Sequence, residues 1–89
     1  SLSDVFVYPN PVRPNFVGTV KISGLTDKAN VKITDIEGNL VYETTSSGGT
    51  IEWDTKAFGK HKVASGVYMI FVASEDATDS TVKKVMIIR

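Results

Sequence analysis

The stretch "GTVKISGL", residues 18–25, carries the pattern that decides the fold. Val20 and Ile22 alternate with polar residues, so an extended chain here has one apolar face and one polar face. This period of two is typical of a β-strand with one buried and one solvated face. The flanking glycines bound the stretch as turn residues do. We therefore predict a strand over residues 19–23.

Stretches of the same kind recur along the chain, separated by clusters of Gly, Asn, Asp and Ser. In "DIEGNL", Asp35 and Gly38 take the first and fourth positions of a type I turn, which predicts a tight hairpin. The seven predicted strands are residues 4–8, 19–23, 31–35, 40–44, 50–53, 66–73 and 81–88. Seven short strands without a helical period predict an all-β domain, an immunoglobulin-like antiparallel β-sandwich.

Two of these strands are more apolar than alternation requires. "GVYMIFVA", residues 66–73, is apolar on both faces, so we place it centrally in a sheet. The side chains predicted to point inward are Val67, Met69 and Phe71, and those on a partly covered outer face are Tyr68, Ile70 and Val72. The last strand ends in an apolar run, residues 85–88, which predicts a surplus apolar face for a partner or for another part of the parent protein.

Length and composition bound the function. A chain of 89 residues makes one domain, 1–89, and because it starts with Ser we expect a piece of a longer protein. Ten basic residues balance ten acidic residues, which argues against nucleic-acid binding. The longest apolar run is too short for membrane insertion, and no signal peptide is visible. The absence of cysteine excludes disulfides and thiolate chemistry.

The side chains with catalytic or metal-binding chemistry are scattered. His61 is the only histidine and has no Cys or second His to act with, so we interpret "FGKHKVASG" as a solvated loop. "EDATD" brings together Glu75, Asp76 and Asp79, but it lacks the spacing of a calcium loop and predicts a hairpin tip. We predict no enzyme, no cofactor and no metal site.

Trp53 with Asp54 allows two interpretations. An indole beside a carboxylate can stack on a sugar, and Tyr42 could extend such a platform. Trp53 also ends an alternating strand with Ile51 on the same face, which favours a core tryptophan with Asp54 capping the next turn.

All three prolines lie in "YPNPVRPN", residues 8–15, with Pro11 and Pro14 in the spacing of a PxxP ligand. A polyproline ligand is one interpretation. Because the segment directly follows an alternating strand, the favoured prediction is that its prolines end that strand and fix the backbone as it leaves the sheet.

In order along the chain stand "YPNP", "GTVKISGL", "VKITDIEGNLVYE", a Gly-Gly turn, "IEWD", "VASGVYMIFV" and "VKKVMI". This series resembles the C-terminal sorting domain of proteins exported by the type IX (Por) secretion system of Bacteroidetes. It is also similar to the wider group of immunoglobulin-fold modules related to the flagellar hook-capping protein. The resemblance covers nearly the whole chain, and the ordered set carries it rather than any single motif.

The resemblance implies a non-catalytic sorting signal that directs a larger cargo through the periplasm to the cell surface or exterior. Its implied partners are the outer-membrane type IX machinery and a sortase-like protease that removes the domain in most members. It also implies that a terminal strand with free backbone groups is handed to a receptor, and we expect a monomer or a weak edge-strand dimer. The residues implied for translocon recognition are Gly66, Val67, Tyr68, Lys83, Lys84, Val85, Met86, Ile87, Ile88 and Arg89. Arg89 departs from the lysine that commonly ends the family's last strand.

An alternative function of a different class remains open at this point. The chain would then be a structural or carbohydrate-binding immunoglobulin-like module of a multidomain surface protein, with Trp53 and Tyr42 as its sugar contact.

Overall fold

Nine strands and one short 3₁₀ turn, Leu2–Asp4, form the regular structure of the computed structural model, which describes residues 1–89. The strands are β1 (Phe6–Tyr8), β2 (Val20–Ser23), β3 (Asn30–Thr34), β4 (Leu40–Thr45), β5 (Thr50–Trp53), β6 (Lys56–Ala57), β7 (His61–Lys62), β8 (Gly66–Ala73) and β9 (Ser80–Ile87). The seven predicted strands are all present, with bounds that differ by at most two residues.

The strands form two main sheets. A three-stranded sheet has the order β1-β2-β5, and a four-stranded sheet has the order β4-β3-β8-β9, with every neighbouring pair antiparallel. β6 and β7 form a separate two-stranded hairpin. The predicted antiparallel sandwich is confirmed, because the apolar faces of the two sheets supply one common core.

The core centres on Trp53, which has no exposed surface. Its Nε1–H donates to the carbonyl oxygen of Lys56 at 3.0 Å, and its ring meets Tyr68 edge-on with centroids 5.8 Å apart. The Asp54 carboxylate accepts from the backbone N–H of Lys56 at 2.9 Å, as predicted for a cap of this turn. A buried indole needs such a partner for its N–H, and the turn after β5 supplies it.

The side-chain orientation predicted for β8 is wrong. Tyr68, Ile70 and Val72 are buried in the core. The residues on the outer face of the sheet are instead Val67, Met69 and Phe71, of which the first two are half-buried and the last is 41% exposed. Because this strand is apolar on both faces, its own periodicity does not distinguish the two orientations.

The predicted hairpin at Asp35 is confirmed. The N–H of Gly38 donates to the carbonyl oxygen of Asp35 at 3.2 Å, and Gly38 has φ +89°. The Asp35 carboxylate accepts from the side-chain amide of Asn39 and from the backbone N–H groups of Asn39 and Glu37. The Asn39 amide is the main reason that the pKa of Asp35 lies below its ordinary value. The hairpin is therefore stabilised above the ordinary aspartate pKa and weakens as acid protonates this group.

The sequence did not predict β6 and β7, which have two residues each. The hairpin lies beside β4, where the N–H of Phe58 donates to the carbonyl oxygen of Val41 at 2.8 Å. Phe58 has a positive φ of 49°, which periodicity does not reveal in a residue other than glycine. His61 lies in β7 and is exposed, in agreement with its predicted contact with solvent.

Candidate functional site

The proline-containing segment, residues 8–15, is hydrogen-bonded to the last strand, β9. The side chain of Asn10 donates to the carbonyl oxygen of Lys84 at 2.9 Å and accepts from the N–H of Met86 at 3.0 Å. Val12 continues the contact through its backbone, accepting from the N–H of Ile88 and donating to the carbonyl oxygen of Met86, both at 2.8 Å. The segment therefore covers the outer edge of β9 along its C-terminal half.

This arrangement settles the interpretation of residues 8–15. The first strand ends at Tyr8, as the prolines predicted. The prediction that the backbone then leaves this sheet is confirmed, because Val12, which is 4% exposed, forms a parallel bridge with Ile87 of the other sheet. Since the backbone of Val12 already bonds β9 within the domain, the segment is not an extended polyproline ligand for another protein.

Tyr68, one of the residues implied for recognition, is a core residue. It is 6% exposed, and its hydroxyl donates to the carbonyl oxygen of Ala64 at 2.7 Å. A tyrosine near the start of a strand that bonds backbone a few residues upstream is the arrangement called a tyrosine corner in immunoglobulin-like folds. Burial raises the pKa of this phenol above its ordinary value of 10.0. The stretch "ASGVY" thus has a structural explanation in the folded domain.

Replacing Tyr68 with phenylalanine is expected to lower the free energy of unfolding by about 1 kcal/mol, since the hydrogen bond from the hydroxyl to the carbonyl oxygen of Ala64 is lost while the ring stays in place. Urea unfolding at neutral pH measures this. At pH values above the ordinary tyrosine pKa the difference between the two proteins should shrink, because the unfolded tyrosine ionises while the buried one resists. An unchanged urea midpoint at neutral pH would contradict a structural role for the hydroxyl.

The residues of β9 implied for recognition divide between two faces. Val85 and Ile87 have no exposed surface and belong to the core. Lys84 and Met86 lie on the outer face, with Met86 41% exposed. The run 85–88 therefore alternates after all, and the surplus apolar face predicted from it is reduced to Met86 and a half-buried Ile88. Lys83, on the inner side of the strand, is half-buried.

Arg89 is held by the domain itself. Its Nε donates to the carbonyl oxygen of Val63 at 2.8 Å, and Nη2 donates to the carbonyl and hydroxyl oxygens of Thr55 at 3.2 and 3.3 Å. Its backbone N–H donates to Oγ of Ser65 at 2.8 Å. The planar guanidinium reaches two loops at once, which the single ammonium of a lysine does not reproduce. These contacts tie the end of the last strand to the loops before β6 and β8.

The outer face of β8 and β9 forms a continuous surface, which we call the outer strip. Across the two strands Val67 pairs with Met86, Met69 with Lys84, and Phe71 with Val82. Val82 is 50% exposed. The outer strip is defined by Val67, Met69, Phe71, Val82, Lys84 and Met86. Three of these residues were not predicted from the sequence as part of a site. Met69 and Phe71 were predicted to point into the core, and Val82 was given no role.

At the candidate sugar and metal sites, the side chains are buried or hydrogen-bonded within the domain. Trp53 is buried, so the predicted alternative of a sugar platform there is wrong, and Tyr42 is half-buried against the core. Asp76 accepts from Ser74 and Thr78 within its own hairpin, and Asp79 accepts from the N–H of Leu2 at 2.8 Å. No group of three or more His, Cys, Asp or Glu residues is placed to hold a metal ion.

The structure contains no helix with the length and apolar character that crossing a membrane requires.

Comparison with known proteins agrees with this geometry. Residues 6–88 match the model of a family described as the secretion system C-terminal sorting domain. Among solved structures, the chain is similar to PorZ of Porphyromonas gingivalis, an essential bacterial surface component of the type IX secretion system, with 39% identity and a TM-score of 0.91. The match covers 99% of this chain, which spans 12% of the PorZ chain. No curated protein matches.

Proposed function

Because this chain belongs to the family of secretion system C-terminal sorting domains, we propose that it is the sorting tail of a larger exported protein. Domains of this family are sorting signals of the type IX secretion system, and they direct export to the cell surface or exterior. The family is not catalytic, and we propose that this chain has no catalytic activity of its own. The observation that carries the proposal is the family match over residues 6–88.

We further propose that the machinery reads the folded domain through the outer strip. Three of the residues implied for recognition, Val67, Lys84 and Met86, lie on this face. Three others, Tyr68, Val85 and Ile87, are buried, so a receptor reaches them only if the sandwich unfolds. The three residues on the outer strip offer contact area to a receptor, and the three buried residues stabilise the fold that presents this surface.

The chemistry of the outer strip suits a partner with an apolar surface and acidic side chains. The exposed apolar side chains of Phe71, Val82 and Met86 provide area for burial, and Lys84 among them adds positive charge. Lys32 on the neighbouring β3 pairs with Phe71 and adds a second cation, opposite Glu43 of β4. An outer-membrane component of the type IX machinery is the proposed partner.

Two finer elements of the proposal concern what happens around export. We propose that a sortase-like protease cuts before residue 1, since Leu2 and Val5 are buried in the core and a cut beside them would disrupt the fold. We propose a monomer in solution, because the C-terminal half of the β9 edge is covered by Asn10 and Val12 and leaves a short segment for pairing.

An export experiment tests the proposed function. Residues 1–89 are fused behind a fluorescent reporter that carries a periplasmic signal, and the fusion is expressed in a bacterium with a type IX system. The reporter is expected at the cell surface or in the medium only when the tail is present. Matched controls are the reporter without the tail and the same fusion in a strain with a disabled translocon. Retention of the fusion in the periplasm of the competent strain would contradict the proposal.

A further inference from the structure

The outer edge of β9 has two different halves. From Ser80 to Lys83 no strand pairs with it, because β8 is its only ladder partner and the single additional bridge lies at Ile87. From Lys84 to Ile88 its outward groups are bonded by Asn10 and Val12. A partner that added a strand along the whole edge would find the first half open and the second half occupied.

We propose that residues 10–12 form a latch that stands in for a partner strand and is displaced when the tail is engaged. The latch bonds the carbonyl oxygen of Lys84, the N–H and carbonyl oxygen of Met86, and the N–H of Ile88. These are the groups that an added strand would use. The Asn10 side chain supplies one donor and one acceptor, as a backbone residue would. The proposal rests on the proposed function, since it assigns the displacing strand to the type IX machinery.

The latch is attached more weakly than the strand it covers. Two of its four hydrogen bonds come from one exposed side chain, that of Asn10. Beyond Val12 the chain has no regular structure until β2 begins at Val20, and Val17 is 94% exposed. By contrast, β9 pairs with β8 along its full length, from Ser80 to Ile87. Opening of the latch exposes the buried side chain of Val12, but it breaks four hydrogen bonds and leaves the ladder of β9 with β8 intact, so it disturbs less structure than removal of the strand.

The displacing ligand is an extended peptide strand, recognised mainly through backbone groups. It would start on the open half at Ser80–Lys83 and extend by replacing the bonds of Asn10 and then those of Val12. Strand addition to an exposed sheet edge draws its affinity from the main chain and its specificity from alternate side chains. On β9 the alternate residues facing outward are Val82, Lys84 and Met86, which are members of the outer strip.

Amide hydrogen exchange on the purified domain tests whether the latch opens. The amides of Met86 and Ile88 bond the latch, whereas those of Val85 and Ile87 face β8. The first pair is expected to exchange at least tenfold faster than the second. The change Asn10→Ala should accelerate exchange at Met86 by about a further tenfold, whereas Asn15→Ala, at an exposed asparagine of the same segment, should have no effect. Equal protection of the amides that bond the latch and of those that face β8 would overturn the proposal that the latch opens.

A disulfide that locks the latch onto β9 tests the role of the latch in export. The chain has no cysteine, so Val12→Cys with Ile87→Cys creates a single disulfide across the bridge. Because both positions are buried, the control is the same double variant in its reduced form, which carries the same two substitutions without the lock. We expect the locked tail to hold the reporter in the periplasm and a reductant in the medium to restore its export. Equal export of the locked and reduced forms would overturn the latch. Failure of the unmodified tail to be exported would instead overturn the proposed function, while the exchange result still decides whether the latch opens.

Discussion

Replacing Trp53 with alanine is expected to lower the free energy of unfolding by about 3–5 kcal/mol. The side chain is fully buried, contacts Tyr68 edge-on and donates to the carbonyl oxygen of Lys56. Its removal leaves a large cavity and an unpaired carbonyl group. A domain of this size has about 5–15 kcal/mol of stability in total, so the loss is a large fraction of it.

Urea unfolding followed by far-ultraviolet circular dichroism measures this loss, since Trp53 is the only tryptophan and its fluorescence is absent from the variant. The matched control is Phe58→Ala, because Phe58 is 55% exposed. The control should change the free energy of unfolding by about 0.5 kcal/mol or less. Similar losses in the two variants would contradict the central position assigned to Trp53.

Replacing Gly24 with alanine is expected to lower the free energy of unfolding by about 2–5 kcal/mol, because overpacking and left-handed backbone strain add to one another. Gly24 has φ +78°, and a Cβ there would overlap the carbonyl oxygen of Asp4 and lie 2.8 Å from its carbonyl carbon. Both obstacles are backbone atoms, so no side-chain rotation relieves them. The variant must shift the 3₁₀ turn away from the end of β2.

Gly48→Ala is the matched control for this change. Gly48 has a similar φ of +85°, but an added Cβ would meet no atom within 4 Å. Its cost should be limited to the backbone strain of about 1–2 kcal/mol. Thermal unfolding of both variants separates the two contributions, and an equal loss in both would show that the contact with Asp4 has no effect.

Much of the fold follows from alternation in the sequence. The faces of β2, β3 and β5 are correctly predicted because each places apolar residues such as Val20, Val31 and Ile51 at every second position. Alternation gives no answer for β8, where both faces are apolar, and the orientation depends on the partner strand and on the hydroxyl of Tyr68 finding Ala64. A phenol that needs a hydrogen-bond partner is a signal that could have placed Tyr68 inward.

The candidate site is harder to predict from the sequence than the fold is. The return of Asn10 and Val12 to β9 joins residues more than 70 positions apart, and local patterns do not encode such contacts. The hydrogen bonds of Arg89 to Thr55 and Val63 also join residues that are distant in the sequence. The outer strip follows from register, since only the pairing of β8 with β9 brings Phe71 beside Val82.

The most direct test of the account compares two double variants in the export assay. Lys84→Glu with Met86→Glu changes the outer strip, and Lys60→Glu with Phe58→Glu makes the same charge change on exposed residues of the β6–β7 hairpin. We predict that the first variant loses export at least tenfold, that the second is exported normally, and that both melt within a few degrees of the unmodified domain. Equal export of the two folded variants would contradict recognition through the outer strip.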